Sequence, residues 1–252
     1  MKIDCPTPDL VSQLRALWKE AFDDTDAFLD LFFSLAYDPD RCCFLTAQGR
    51  VTAALYWLDV YLGQQKFAYI YAVATARDCR GQGLCRLLMA DTVDFLRARG
   101  YQGALLVPQD EGLRAMYRRM GYRDAAPVDE FICAAGDAPC SAREISTPEY
   151  LSLRPGYAPE GSIRPGPEMT ALLSEMARFY AGTGFLAAVS REQEHLRILE
   201  YLGRRSGLPG LIAALGATEA TVRSPGSDTP FAMYLPLTPA CSIPAYYPFA
   251  LD

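Results

Sequence analysis

Residues 69–89 read YIYAVATARDCRGQGLCRLLM, from Tyr69 to Met89, and this stretch decides the fold. An aromatic and apolar run ends at Thr75, a turn carrying Gly81 and Gly83 follows, and from Leu84 the apolar residues return at helical spacing. A strand therefore passes through a glycine-containing loop straight into an amphipathic helix. The first N–H groups of such a helix have no partner within it, and its dipole adds about half a positive charge. Gly81 and Gly83 let the backbone come close to an anion, and Arg77, Arg80 and Arg86 make the loop a local basic site in a chain of net charge -6. The same glycines would also serve a plain turn, so the wider spacing decides. A dinucleotide loop needs a third glycine where Arg86 stands, and a nucleoside-triphosphate loop needs Gly-Lys-Ser/Thr, which is absent.

Upstream, Leu10, Leu14, Leu17, Trp18 and Ala21 follow Pro8 with the three-and-four spacing of a helix. Phe28, Leu31, Phe32 and Leu35 predict a second helix, ended by Asp38-Pro39 because proline cannot continue the ladder. Strands are predicted over Cys42–Ala47, Val51–Tyr61 and Phe67–Thr75, with turns short enough for an antiparallel meander. A helix over Leu84–Arg99, with Leu84, Leu87, Leu88, Phe95 and Leu96 inward, is closed by Gly100; a strand, Ala104–Val107, and a helix, Glu111–Met120, follow. These elements predict an α/β domain over residues 1–135, its mixed, mainly antiparallel sheet flanked by helices.

Residues 136–167 are rich in proline and glycine and are expected to be a linker. Beyond them, residues 168–252 are expected to form a smaller α/β domain. Met169–Tyr180 and Glu192–Leu202 read as helical, Gly184–Val189 as strand, and Leu211–Ala214, Glu219–Arg223 and Phe231–Leu237 as extended.

At Arg80-Gly81-Gln82-Gly83-Leu84-Cys85 the sequence resembles the GNAT superfamily of acetyl-CoA-dependent N-acetyltransferases, whose cofactor loop reads Q/R-x-x-G-x-G/A; Cys85 stands where Gly or Ala is usual. The block LLVPQDEGLRAMYRRMGY, Leu105–Tyr122, is similar to the later motif of that family, with a tyrosine, Tyr117, four residues before Gly121-Tyr122. Asp110 replaces the asparagine that many members carry, and the PQDEG wording resembles the enhanced-intracellular-survival branch. The resemblance implies that amides from Gly81 to Arg86 hold the pyrophosphate of acetyl-CoA. It also implies that Val73, Ala74 and Thr75 pair with the pantetheine arm and that Tyr117 donates a proton to the departing thiolate. The implied function is acetyl transfer to an amine by direct attack in a ternary complex, with a non-catalytic acyl-CoA-binding module as the alternative. The carboxy-terminal half, which lacks the loop, is expected to be a degenerate GNAT-like unit that walls the acceptor cleft or mediates self-association into a homo-oligomer.

Composition excludes several other functions. The negative net charge argues against a nucleic-acid partner, since phosphate neutralisation needs a basic face. No run approaches the roughly 20 apolar residues of a membrane span, so a cytoplasmic protein with no membrane partner is expected. The eight cysteines contain no C-x-x-C pair and read as reduced, mostly buried thiols. His195 is the only histidine, in a charged, helical-looking REQEHLR, and reads as solvated; a Ser-His-Asp triad and a multi-histidine site are excluded, and no metal is expected.

The acceptor is expected to be a small-molecule or peptide amine. Trp18, Phe22, Asp23, Asp24 and Asp26 could form an acidic rim favouring a cation. Asp59, Glu111, Glu130 and the terminal Asp252 are candidate bases that spacing alone does not separate.

Overall fold

The structure, a computed structural model, describes residues 8–137, 140–192 and 195–251. The amino-terminal half begins with two helices, α1 (Pro8–Ala21) and α2 (Asp26–Leu35), the second capped by Thr25, whose hydroxyl accepts from Phe28 N at 3.2 Å. The strands β1 (Cys42–Ala47), β2 (Arg50–Leu62) and β3 (Gln65–Thr75) form the expected antiparallel meander. Then come α3 (Leu84–Ala98), β4 (Gly103–Leu106), α4 (Glu111–Arg119) and β5 (Arg123–Ala125). Helices α1 and α2 cover one face of this sheet, and α3 and α4 the other. The inner side of α3 is Leu88, Met89, Thr92 and Leu96; Leu87, expected inward, is 50% exposed.

The remaining elements are β6 (Val128–Ala134), β7 (Arg143–Ile145), α5 (Thr147–Leu153), β8 (Arg164–Pro165), α6 (Pro167–Met176), β9 (Arg178–Gly182), β10 (Phe185–Glu192), β11 (His195–Gly203), α7 (Leu208–Ala214), β12 (Glu219–Pro225) and β13 (Ala232–Pro236). From α5 to β12, β8 aside, they repeat the order seen from the chain's start: two helices, an antiparallel meander, a helix, and a strand parallel to the last of the meander. Yet the two sheets exchange strands. Their orders are β1-β2-β3-β4-β13-β5, with β8 beside β2, and β6-β12-β11-β10-β9-β7. β13, from the carboxy-terminal half, lies antiparallel between β4 and β5, and β6, from the amino-terminal half, lies antiparallel on β12.

Each sheet thus draws one strand from across the boundary expected between the two halves. Residues 136–167, expected as a linker, hold β7, α5 and β8. Proline and glycine in residues 136–167 serve as structure: Ser146 caps α5 ahead of Pro148, and Gly166 donates to Asp59 O at 2.9 Å, where a Cβ would lie 2.2 Å from that oxygen.

Three readings of the carboxy-terminal half also change. The helix expected over Met169–Tyr180 stops at Met176, and the chain turns extended from Arg178. Glu192–Leu202, expected helical, holds β11, whose pairing with β10 slips at Leu199, so that Leu196, Ile198 and Tyr201 pack into one apolar cluster and Leu202 into the other. Leu211–Ala214, expected extended, is the end of α7, which Pro209 opens and Gly216 follows at φ 71°. A short apolar run carries no period that separates helix from strand. No described helix is long and apolar enough to cross a membrane.

Candidate active site

β3 and β4 run parallel but pair only at Phe67–Gly103, Ala68–Ala104 and Tyr69–Leu105. Past Tyr69 they part, because β3 carries a bulge: its pairing with β2 slips between Ala54 and Tyr56, and Ala72 takes φ 48°. Among the described residues no strand therefore pairs with the β4-facing side of β3 through Val73, Ala74 and Thr75. The opening is the mouth of a cleft of about 1170 Å³, larger than the ~300–1,000 Å³ that holds one drug-sized ligand.

The loop after β3 is held in place before any ligand arrives. Arg77 N donates to Glu20 Oε1 at 2.6 Å, Arg50 pairs with Asp78 at 2.6 Å, and Arg80 Nε donates back to Thr75 O at 3.1 Å. Gly81 and Gly83 have φ 75° and 79°, the left-handed region where glycine alone sits without strain. A Cβ on either would meet no atom within 4 Å, so open space lies over both. Gly83 is the N-cap of α3 and supplies no side-chain acceptor, which leaves the first N–H groups of that helix to an outside partner.

Of the residues expected to hold the cofactor, Val73, Ala74, Thr75, Arg80 and Cys85 line the cleft. Gly81, Gln82, Gly83, Leu84 and Arg86 form the turn and first helical residues beside it and are not part of the lining. These residues fit the group expected there, offering free amides, a cation and an open approach to a pyrophosphate and an unpaired strand edge to an amide-bearing arm. The Cys85 thiol is pushed up by burial and stays neutral, so it adds no charge against an anion.

Tyr117 lies across the cleft on α4, 6% exposed, its ring edge-on to Tyr122 at 5.8 Å. Its hydroxyl makes no hydrogen bond to another described residue, and burial, then the neighbouring Cys85 thiol, raise the phenol above its ordinary range. Asp110 caps α4 by accepting from Leu113 N at 2.7 Å, so the residue in the usual asparagine position is engaged in holding the helix.

The far half of the cleft is built from both halves of the chain. Phe22, Asp23 and Asp24 come from the turn after α1, Tyr69 and Tyr71 from β3, and Glu130, Arg223 and Phe231 from the exchanged region. Asp24 accepts from Trp18 Nε1 at 2.8 Å. Trp18 itself is core, packed on Phe32 and Tyr56, and Asp26 pairs with Lys19 at 2.7 Å outside the cleft.

The candidate bases separate by position. Asp59 is at the other end of the sheet, holding Tyr101, Lys66 and Arg41 at 2.6, 2.9 and 3.4 Å, and does not line the cleft. Glu111 lines it but is 72% exposed and pairs with Arg118 at 2.8 Å. Glu130 lines it, and Asp252 lies outside the described residues. His195 is exposed at the start of β11, 3.1 Å from Thr221 Oγ1. Among the described cysteines all are free, Cys42 and Cys43 are buried, and the other five are part-exposed, fewer buried than expected. Among the described residues no cluster fit for a metal ion occurs.

Residues 2–125 match the acetyltransferase (GNAT) domain. A GCN5-related N-acetyltransferase from Anabaena variabilis superposes with a TM-score of 0.74 at 16% identity, covering 93% of this chain and 72% of that one. Eis1 from Mycobacterium abscessus gives 0.60 at 13%, covering 84% and 63%. A tandem GNAT protein from the clavulanic acid biosynthesis pathway gives 0.60 at 13%, covering 92% and 96%. At these identities the likeness is one of fold, and it extends through both sheets. A comparison with curated proteins found no match. Residues 2–125, just under half of the chain, are a GNAT acetyltransferase domain, and this domain makes the protein an acyltransferase.

Proposed function

We propose that the protein moves an acetyl group from acetyl-CoA to a primary amine in the cytoplasm, by direct attack while both substrates are bound. One observation carries this reading: the uncapped end of α3 stands beside the cleft that the free edge of β3 and Tyr117, whose hydroxyl has no partner among the described residues, both line. The amides of Gly81–Arg86, with Arg80, would hold the pyrophosphate, and the edge at Val73–Thr75 the pantetheine arm. When bound, acetyl-CoA supplies an activated acetyl group whose leaving group is a thiolate.

Tyr117 holds a proton at its phenol oxygen, and burial keeps it there at neutral pH, so the residue serves as proton donor and not as base. Proton donation from a phenol of ordinary pKa ~10 to a thiolate of pKa ~8.5 is already uphill by about 2 kcal/mol, and burial of Tyr117 makes it steeper, so it is coupled to proton loss from the nucleophile. A primary amine of pKa ~10.4 is neutral only on the order of one part in a thousand at pH 7. The acidic side chains Asp23 and Asp24 in the far half favour the cationic form on arrival.

The test is calorimetric titration with acetyl-CoA, followed by thiol-release assays with n-hexylamine, 1,6-diaminohexane, 2-phenylethylamine and glycinamide. Micromolar binding with turnover of an amine supports the reading. Binding with no turnover of any amine favours an acyl-CoA-binding module, and absence of binding removes the reading altogether.

A further inference from the structure

Arg223 sits on β12, where the two halves exchange strands, and is 4% exposed. Its guanidinium holds three segments at once. Nε and Nη2 donate to Glu130 Oε1 on β6 at 3.3 and 2.9 Å, and Nη1 donates to Pro248 O at 2.7 Å. Its plane lies 4.1 Å from the centre of the Phe231 ring, just ahead of β13. Pro248 precedes Ala250 and Leu251, and Leu251 N reaches Tyr69 Oη at 3.4 Å, at the last residue of β3 still paired with β4. Glu130, Arg223, Phe231, Ala250 and Leu251 all line the cleft. One buried cation therefore ties together three segments at this part of the cleft.

Glu130 is left with one committed oxygen and one open one. Oε1 takes both Arg223 bonds, Oε2 accepts none from another described residue, and the side chain is 34% exposed to the cleft. A carboxylate held this way has a fixed direction, and its partner balances its charge. Its free oxygen can take an N–H bond from an amine in either protonation state, so its use is to orient the nucleophile.

We propose that Glu130 is the specificity-determining residue for the acceptor, receiving an amine N–H at Oε2, and that Arg223 is its positioning residue. The idea rests on the acetyltransferase reading above. It goes further by locating acceptor recognition at the joint between the halves, on residues outside the GNAT domain match.

The experiment uses the full chain and the variants Glu130→Gln, Arg223→Lys and Arg223→Met. It measures the acetyl-CoA Kd by calorimetry, KM and kcat with n-hexylamine and 1,6-diaminohexane, and hydrogen exchange across residues 246–251. Loss of a charge-assisted bond raises KM for the amine on the order of ten- to a hundred-fold in Glu130→Gln, with the acetyl-CoA Kd unchanged. Arg223→Met gives the same KM rise together with faster exchange in 246–251, and Arg223→Lys recovers part of both.

An unchanged KM in folded Glu130→Gln overturns the proposal, as does a parallel shift in KM and in the acetyl-CoA Kd, which a merely structural role would give. If the wild type binds acetyl-CoA but neither binds nor acetylates either amine, the acceptor site fails while the cofactor site stands. If it does not bind acetyl-CoA, the underlying reading fails first.

Discussion

Arg114 on α4 donates through Nη2 to the carbonyl oxygen of Pro230 at 2.7 Å, and the same nitrogen reaches Phe231 O at 3.0 Å. Its Nη1 takes Asp124 at 2.5 Å, and the residue is 7% exposed. The helix that carries Tyr117 is thus fastened to the segment leading into β13. A chain ended after Ala135 loses that anchor and leaves the facing edges of β4 and β5 without their common partner. Such a fragment is expected to aggregate, as read by size-exclusion chromatography and far-ultraviolet circular dichroism. A soluble, monomeric fragment that acetylates the same amine would show that the sheet closes without β13.

At Gly83 conformation and ligand access can be separated. Alanine there meets no atom but must adopt φ 79°, at a cost of about 1–2 kcal/mol. Both Gly83→Ala and Gly83→Trp should lower the melting temperature by a few degrees, on the order of 2–4 °C per kcal/mol. Only the tryptophan fills the space over the turn, so only it should abolish calorimetric binding of acetyl-CoA. Wild-type affinity in Gly83→Trp would move the pyrophosphate elsewhere.

Tyr117→Phe removes an oxygen that bonds to no described residue, so the fold and the acetyl-CoA Kd should hold. The turnover number should fall roughly 10²–10⁴-fold, the usual range for a lost proton donor. Because burial raises the phenol, its ionisation should not limit kcat below about pH 10. Full turnover in the variant would strip Tyr117 of its acid role.

Burial raises the phenols of Tyr56, Tyr117, Tyr122 and Tyr150 in the folded chain. Above about pH 10 the unfolded chain releases these protons while the native one keeps them. The stabilisation is complete below that pH and is lost as pH rises toward the folded values, by up to ~1.4 kcal/mol per pH unit for each residue. Urea midpoints should therefore drop between pH 9.5 and 11, a range set by the ordinary tyrosine pKa of ~10. A flat profile would mean that these hydroxyls are hydrated.

Glu200, fully buried on β11, takes Arg154 Nε and Nη2 at 2.8 and 2.9 Å and the Tyr150 hydroxyl, and Arg154 Nη1 donates to Ile163 O at 3.0 Å. Glu200→Ala strands the guanidinium and should cost about 3–5 kcal/mol in denaturant unfolding. The double change Arg154→Met with Glu200→Leu should cost much less. Equal losses would show that packing alone sets the price.

Much of the amino-terminal half was legible because its helices are long and periodic and its loop chemistry is local: Arg80, Gly81 and Gly83 stand together in sequence as they do in space. The carboxy-terminal half hid its strands. In β11 a register slip at Leu199 breaks the apolar alternation, and the buried Glu200 is held by Arg154 and Tyr150; no spacing reveals such partners. The acceptor wall was hidden for a different reason. Glu130 and Arg223 are strand neighbours through an exchange that no local pattern encodes, and Pro248 joins them from an irregular segment.

The exchanged strands also set a timetable. β4 is complete at Leu106, but the strand that satisfies its edge begins at Ala232, so a chain growing from its amino end carries an open edge for roughly 125 further residues. At synthesis rates of ~5–20 residues per second that is roughly 6 to 25 seconds. The catalytic sheet cannot close while its chain is still short, and a ribosome stalled in that interval would release a chain primed to stick to its siblings.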